Sequence, residues 1–187
     1  MVMSLDGFVC GENNELDWEE QDPLVSMYLI PKLLERVDTM FLGRALYEGF
    51  EQAWPAMARD PQTPQEIKDF ARWVQETPKV VFSDSLKDCT WDNSTLVNVK
   101  NDQDIANQVS RLKQQAGKDI VVFGGAQFAR TLVKMGLVDE FQLKVQPVVL
   151  GTGKALFSSL TERLKLKLVD SKAFDSGVIA VTYAPVL

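Results

Sequence analysis

The sequence predicts an α/β fold, with a mainly parallel central sheet flanked by helices on both faces and an antiparallel hairpin at the C-terminal edge. Three observations carry that expectation. Short β-branched runs alternate with segments of helical periodicity as far as residue 135, the mark of β-α-β units whose strands run parallel. One such run, residues 120–123, passes through Gly124-Gly125 straight into an amphipathic segment. Beyond residue 140 the helical pattern stops and three extended segments follow, the last two joined by the hairpin-turn sequence Asp175-Ser176-Gly177.

Taken in order, residues 2–9 form a short apolar run closed by Asp6-Gly7. Residues 22–36 carry apolar side chains at helical spacing, with Asp22 as N-cap and Pro23 in the first helical position, where its missing N–H costs nothing. Residues 37–42 read as a buried strand. A helix over 44–57 is expected next, then a proline-rich connection (Pro55, Pro61, Pro64) and a second helix over 65–75. Strands at 79–83 and 95–99, a helix over 102–115, a strand at 120–123 and a helix over 127–135 complete the alternating part. The extended segments of the C-terminal third are 140–149, 164–173 and 178–184. With 187 residues, 45% of them hydrophobic, and no repeats or linkers, the chain is expected to bury one core as a single domain, residues 1–187.

Composition excludes several classes of function. A formal charge of −6 without Lys/Arg clusters argues against a nucleic-acid surface, because phosphate neutralisation supplies most of that affinity. No apolar run approaches the roughly 20 residues of a membrane-spanning helix, and the opening residues MVMSLDG have no basic signal-type region, so a soluble cytoplasmic protein is expected. Cys10 and Cys89 match no metal or redox spacing and read as buried apolar residues. The chain has no histidine, which removes His-based triads and zinc hydrolase chemistry, and no metal site is expected. Anion binding in so acidic a chain has to be local. A glycine pair between a strand and a helix provides such a place, because it lets the backbone turn tightly and aim the free N–H groups of a helix start outward. A turn that needs glycine for steric reasons alone has the same sequence.

Four short segments fall at the carboxyl ends of separate predicted strands: Ser4-Leu5-Asp6-Gly7, Leu42-Gly43-Arg44, Phe82-Ser83-Asp84-Ser85 and Phe123-Gly124-Gly125. In this order and spacing they resemble the dihydrofolate reductase-like superfamily, and more closely the reductase domain of riboflavin-biosynthesis deaminase-reductases and its stand-alone relatives. The resemblance extends over nearly the whole chain and is most specific in GLVDEFQLKVQPVVLGTGKALF, residues 136–157. It implies NADPH as cofactor. Gly43 and Arg44 would lie against the adenosine side, where a guanidinium suits a 2′-phosphate by paired charge-assisted hydrogen bonds. Ser83, or Ser85 beside it, would contact the 2′-phosphate or ribose. Gly124 and Gly125, with the backbone of Ala126, Gln127 and Phe128, would cradle the pyrophosphate. The backbone at Met3 and Ser4 would hold the nicotinamide carboxamide, with Asp6 at the rim of the substrate pocket. Trp18 would either close over the ligand or pack beneath its own loop. Family members have several apolar residues ahead of the Ser-Leu-Asp-Gly motif, so the first strand reads as short.

The activity so implied is hydride transfer to an electrophilic C=N or C=O carbon of a small heterocycle, as in 5-amino-6-(5-phosphoribosylamino)uracil reductases, with the proton from water, Asp6 or Tyr47. Two departures from the pattern bear on the substrate. Dihydrofolate reductases place a carboxylate on the helix before the second strand, where this chain has Ser26-Met27-Tyr28. The riboflavin-pathway enzymes carry a Glu before the glycine pair and an Asp-Asp-Pro…Arg stretch after the second strand; here Phe123 stands in the first place and Gly49-Phe50-Glu51 with Trp54-Pro55 around the second. Folate reduction is therefore disfavoured, and recognition of a ribose-phosphate pyrimidine is put in doubt. A non-catalytic nucleotide- or ligand-binding module of the same fold is the competing expectation. Related reductases dimerise through the C-terminal strands, which implies a homodimer.

Overall fold

A computed structural model describes residues 1–186. The chain divides into two compact units, one made of Met1–Ser26 and Ala126–Leu187, the other of Met27–Gly125. Each unit has a buried apolar cluster.

In the unit Met27–Gly125, the strands β2 (Val37–Gly43), β3 (Lys79–Ser83), β4 (Ser94–Asn98) and β5 (Asp119–Val122) form a wholly parallel sheet in the order β4-β3-β2-β5. β2 and β3 are central, and β3 is buried along its whole length, as its Val-Val-Phe run requires. Packed on this sheet are helices α1 (Pro23–Arg36), α2 (Arg44–Arg59) and α3 (Gln65–Glu76), through a cluster that joins Met40, Phe70 and Val74 with Ile30, Leu33, Phe50, Trp54 and Phe123. Helix α4 (Asp102–Lys113) is capped by Asn101, whose side chain accepts from the Asp104 N–H.

The helix expected over 44–57 already contains Pro55, and α2 runs through it and on to Arg59. A proline there forfeits one backbone hydrogen bond, but Trp54 beside it packs edge-on to both Phe50 and Phe70 at 5.5 and 4.9 Å, and this packing overrides the local signal. Pro31 sits inside α1 in the same way. At the start of α1 Asp22 does act as N-cap, accepting from the Leu24 N–H at 2.8 Å.

In the other unit β1 (Val2–Ser4), β6 (Phe141–Gln146), β7 (Leu166–Ala173) and β8 (Ile179–Pro185) form a second sheet in the order β1-β6-β8-β7. β1 runs parallel to β6, while β8 is antiparallel to both β6 and β7. Gly177 closes the β7–β8 hairpin with a φ of +86°, a conformation that favours glycine. Helix α5 (Ala126–Lys134) packs Ala129 and Val133 against Phe141, Leu143 and Leu156. The expected mainly parallel sheet with an antiparallel C-terminal hairpin is thus present, distributed over two hydrogen-bonded sheets. β1 covers three residues, fewer than the apolar run 2–9, because the chain turns back at Ser4, whose C=O accepts the Gly7 N–H at 3.0 Å.

Candidate functional site

The parallel sheet brings three of the four predicted segments together. Register pairs Gly43 with Phe82 and Phe41 with Val122, so the carboxyl ends of β3, β2 and β5 lie side by side, the place where open α/β sheets bind ligands. Gly43 is the N-cap of α2 and offers no side-chain cap to it. Arg44 is the first helical residue and is exposed. A cation in a first turn opposes the helix macrodipole, and Arg44 pairs with Glu48, with Nη1 to Oε1 at 3.6 Å between half-exposed side chains. Such a surface pair is worth about 0–1 kcal/mol, so it leaves the guanidinium available to an incoming anion.

At the end of β3, Ser83 is buried and its hydroxyl accepts the N–H groups of Ser85 and Leu86 at 3.1 and 2.9 Å. That oxygen closes its own turn. Ser85 is exposed and is the better placed of the two serines to meet a ligand. At the end of β5, Gly124 and Gly125 both have left-handed backbone, with φ of +43° and +71°. A Cβ built on Gly124 would lie 3.6 Å from Leu46 Cδ2, whereas one built on Gly125 would meet nothing within 4 Å. The second glycine thus faces open space, and α5 begins one residue later. Ala126 and Gln127 supply N–H groups of that helix's first turn, which have no intrahelical acceptor; Gln127 is exposed and Phe128 half-buried. Phe123, standing where the riboflavin-pathway pattern has Glu, lies among aromatic rings, 5.8 Å from Phe50, 6.1 Å from Phe70 and 6.3 Å from Trp73.

Tyr47 does not have the setting of a proton donor. It is 2% exposed, and its hydroxyl accepts the N–H groups of Thr90 and Trp91 at 3.0 and 2.9 Å while lying 3.4 Å from Glu51 Oε1. The ring pins the segment before β4 to α2. Cys89, in that segment, is half-buried rather than buried, and burial pushes its thiol pKa up.

Within the other unit, Met3 is half-buried and pairs with Val145. Ser4 is fully buried, and its backbone is engaged by its own turn: its N–H donates to the Phe8 carbonyl at 2.8 Å and its C=O accepts from Gly7. The Ser4 hydroxyl donates to Asp6 Oδ1 at 2.7 Å. Asp6 also accepts the Leu150 N–H on Oδ1 at 3.2 Å and the Gly151 N–H on Oδ2 at 2.8 Å. The Ser4 hydroxyl first, and then these backbone donors, hold its carboxyl below the usual carboxylate range. Asp6 therefore anchors the Leu150-Gly151 turn. No local pattern announces this, because its partners lie more than 140 residues away. Trp18 is half-buried and its indole N–H donates to the Glu15 carbonyl at 3.2 Å, so its own loop fixes the ring.

Among solved structures with the same fold are a protein of Shewanella sp. PV-4 assigned to riboflavin biosynthesis (22% identity, TM-score 0.71, 100% of this chain and 97% of the other) and the dihydrofolate reductase of Enterococcus faecalis in complex with NADP(H) (15%, 0.59, 98% and 92%). At these identities the likeness is one of fold. In sequence, the chain is 37% identical over 183 residues to the uncharacterized protein YyaP of Bacillus subtilis (strain 168), covering 98% of this chain and 91% of that one. Residues 1–180 match the description of the RibD C-terminal domain, and with that match over nearly its full length the chain belongs to the RibD C-terminal domain family.

Proposed function

We propose that this protein is an NADPH-dependent reductase of a small heterocycle, of the riboflavin-pathway type. The observation that carries the reading is the alignment of three strand ends in one parallel sheet, with exposed Arg44 beside Gly43, exposed Ser85 beyond Ser83, and the left-handed pair Gly124-Gly125. These residues fit an elongated cofactor with two separate anionic groups, a pyrophosphate and a 2′-phosphate. Arg44 and Ser85 would hold the 2′-phosphate, and the backbone of Gly124 and Gly125, leading into the first turn of α5, would hold the pyrophosphate. When bound, NADPH supplies the hydride that passes from nicotinamide C4 to an electrophilic ring carbon. The protein's part is to align the reactants and keep their surroundings dry. Since Asp6 is an ionised acceptor and the Tyr47 hydroxyl is engaged by backbone, the proton comes from water.

Phe123 in an aromatic cluster, instead of the riboflavin-pathway Glu, favours an uncharged ring as substrate over a ribose-phosphate pyrimidine. The engagement of Asp6 and Tyr47 is also what a non-catalytic binding module of the same fold would display, and consumption of hydride separates the two. The experiment is a screen of NADPH oxidation against pterins, aminopyrimidines including the ribosylated uracil, and small carbonyl compounds. Turnover with at least one heterocycle is expected. Tight NADPH binding with no oxidation by any of them would establish the binding module instead.

A further inference from the structure

The last residue of β6, Gln146, is 1% exposed and pairs in parallel register with Ser4, the last residue of β1, which is 0% exposed. Its Oε1 accepts the Glu20 N–H at 3.1 Å. Because that neighbour is a donor, the atom facing it has to be the amide oxygen, and the orientation of the amide is fixed. The Nε2 group then points away from Glu20, is shut off from solvent, and has no hydrogen-bond partner among the described residues. A buried amide without an acceptor is costly, and an apolar side chain of similar length would avoid the cost. Local need does not explain the glutamine, because its partner Glu20 is an exposed residue that water can reach. The place itself is informative: the carboxyl ends of adjacent parallel strands are where α/β sheets receive ligands.

We infer that Gln146 is a specificity-determining residue that donates its Nε2–H to a carbonyl oxygen on the substrate ring. This rests on the heterocycle-reductase reading above. Residues 19–20 lie over this end of β6, held by the Lys144–Glu19 ion pair and by the Glu20 N–H to Gln146 contact. The amide selects rings that present an acceptor at this edge and rejects those that present an amino group, since two donors cannot share a bond.

The test is a calorimetric titration of the full chain, with and without NADPH, using 5-aminouracil as the probe with ring carbonyls and 2,4-diaminopyrimidine as the one with amino groups in their place. The native protein should favour 5-aminouracil by at least tenfold. Gln146→Met should erase that preference while keeping or raising the melting temperature, and Gln146→Glu should reverse it. NADPH affinity, read separately, should be unchanged in both variants. Its absence in the native protein would sink the cofactor reading and leave the probe result standing. Failure of the native protein to bind either probe, or a Gln146→Met protein that melts lower yet keeps the probe preference, would overturn the inference and make Gln146 a strap for residues 19–20.

Discussion

Arg44 shows how one residue can be placed against its own local preference. Its guanidinium sits on the first turn of α2, where the macrodipole repels it, and its i,i+4 partner Glu48 is half-exposed and 3.6 Å away. A 2′-phosphate bound there would remove the conflict. NADPH should therefore bind more tightly than NADH, and Arg44→Ala should narrow the difference by about 1–3 kcal/mol, the usual size of a charged hydrogen bond. Titration by nicotinamide fluorescence reads it; equal affinity for the two cofactors in the native protein would contradict the assignment. At this scale the sequence was legible in part. The left-handed turn at the glycine pair, set by its own residues, could be read directly. Asp6, Tyr47 and Gln146 could not, because their partners are far away in sequence.

At the scale of elements, helix and strand positions follow the hydrophobic period closely. Lys79–Ser83 is found as expected, and α2 passes through Pro55 beside the edge-on packing of Trp54 on Phe50 and Phe70. Tyr47 ties α2 to the segment before β4. Tyr47→Phe would leave the N–H groups of Thr90 and Trp91 without their acceptor, so it should lower unfolding stability by about 1–3 kcal/mol in denaturant melts while leaving NADPH affinity unchanged. A large loss of turnover in a stable Tyr47→Phe protein would restore the proton-donor role.

Lys79 provides a second test on β3. It is 1% exposed, its Nζ donates to the carbonyls of Gln75, Thr77 and Asp92, and burial pushes its pKa down to about 8. The unfolded lysine titrates near 10.4. Between these values the unfolded chain holds the proton more firmly, so this group's contribution to stability rises with pH from about 8 to about 10 and is flat below. The stability difference between the native protein and Lys79→Met, followed by denaturant melts across that range, should shift in favour of the native protein as pH rises. A difference independent of pH would refute it.

For the whole molecule, the family was legible because four strand-end segments and the Pro-Val-Leu-Gly stretch keep their order along nearly the entire chain. The division into two compact units was not, because it depends on which strands pair, and the period of a strand says nothing about its neighbour. Membership in the RibD C-terminal domain family leaves the substrate open, since a fold hosts many chemistries. The resemblance to dihydrofolate reductases sets Ser26-Met27-Tyr28 of α1 against their folate-gripping acid, and Met27 is 58% exposed. Turnover of dihydrofolate should be negligible. A rate within the common enzyme range of about 1–10³ per second would contradict this.

The central claim is that Gly124-Gly125 and the start of α5 cradle the pyrophosphate of NADPH. The most direct test measures NADPH affinity and melting temperature on the same sample of Gly125→Val. A valine Cβ would point into the open space that a phosphate oxygen would fill, and its left-handed backbone would be strained. Gly125→Val should still fold, with a lowered melting temperature, and no longer bind NADPH; a folded Gly125→Val protein with native NADPH affinity would contradict the cradle.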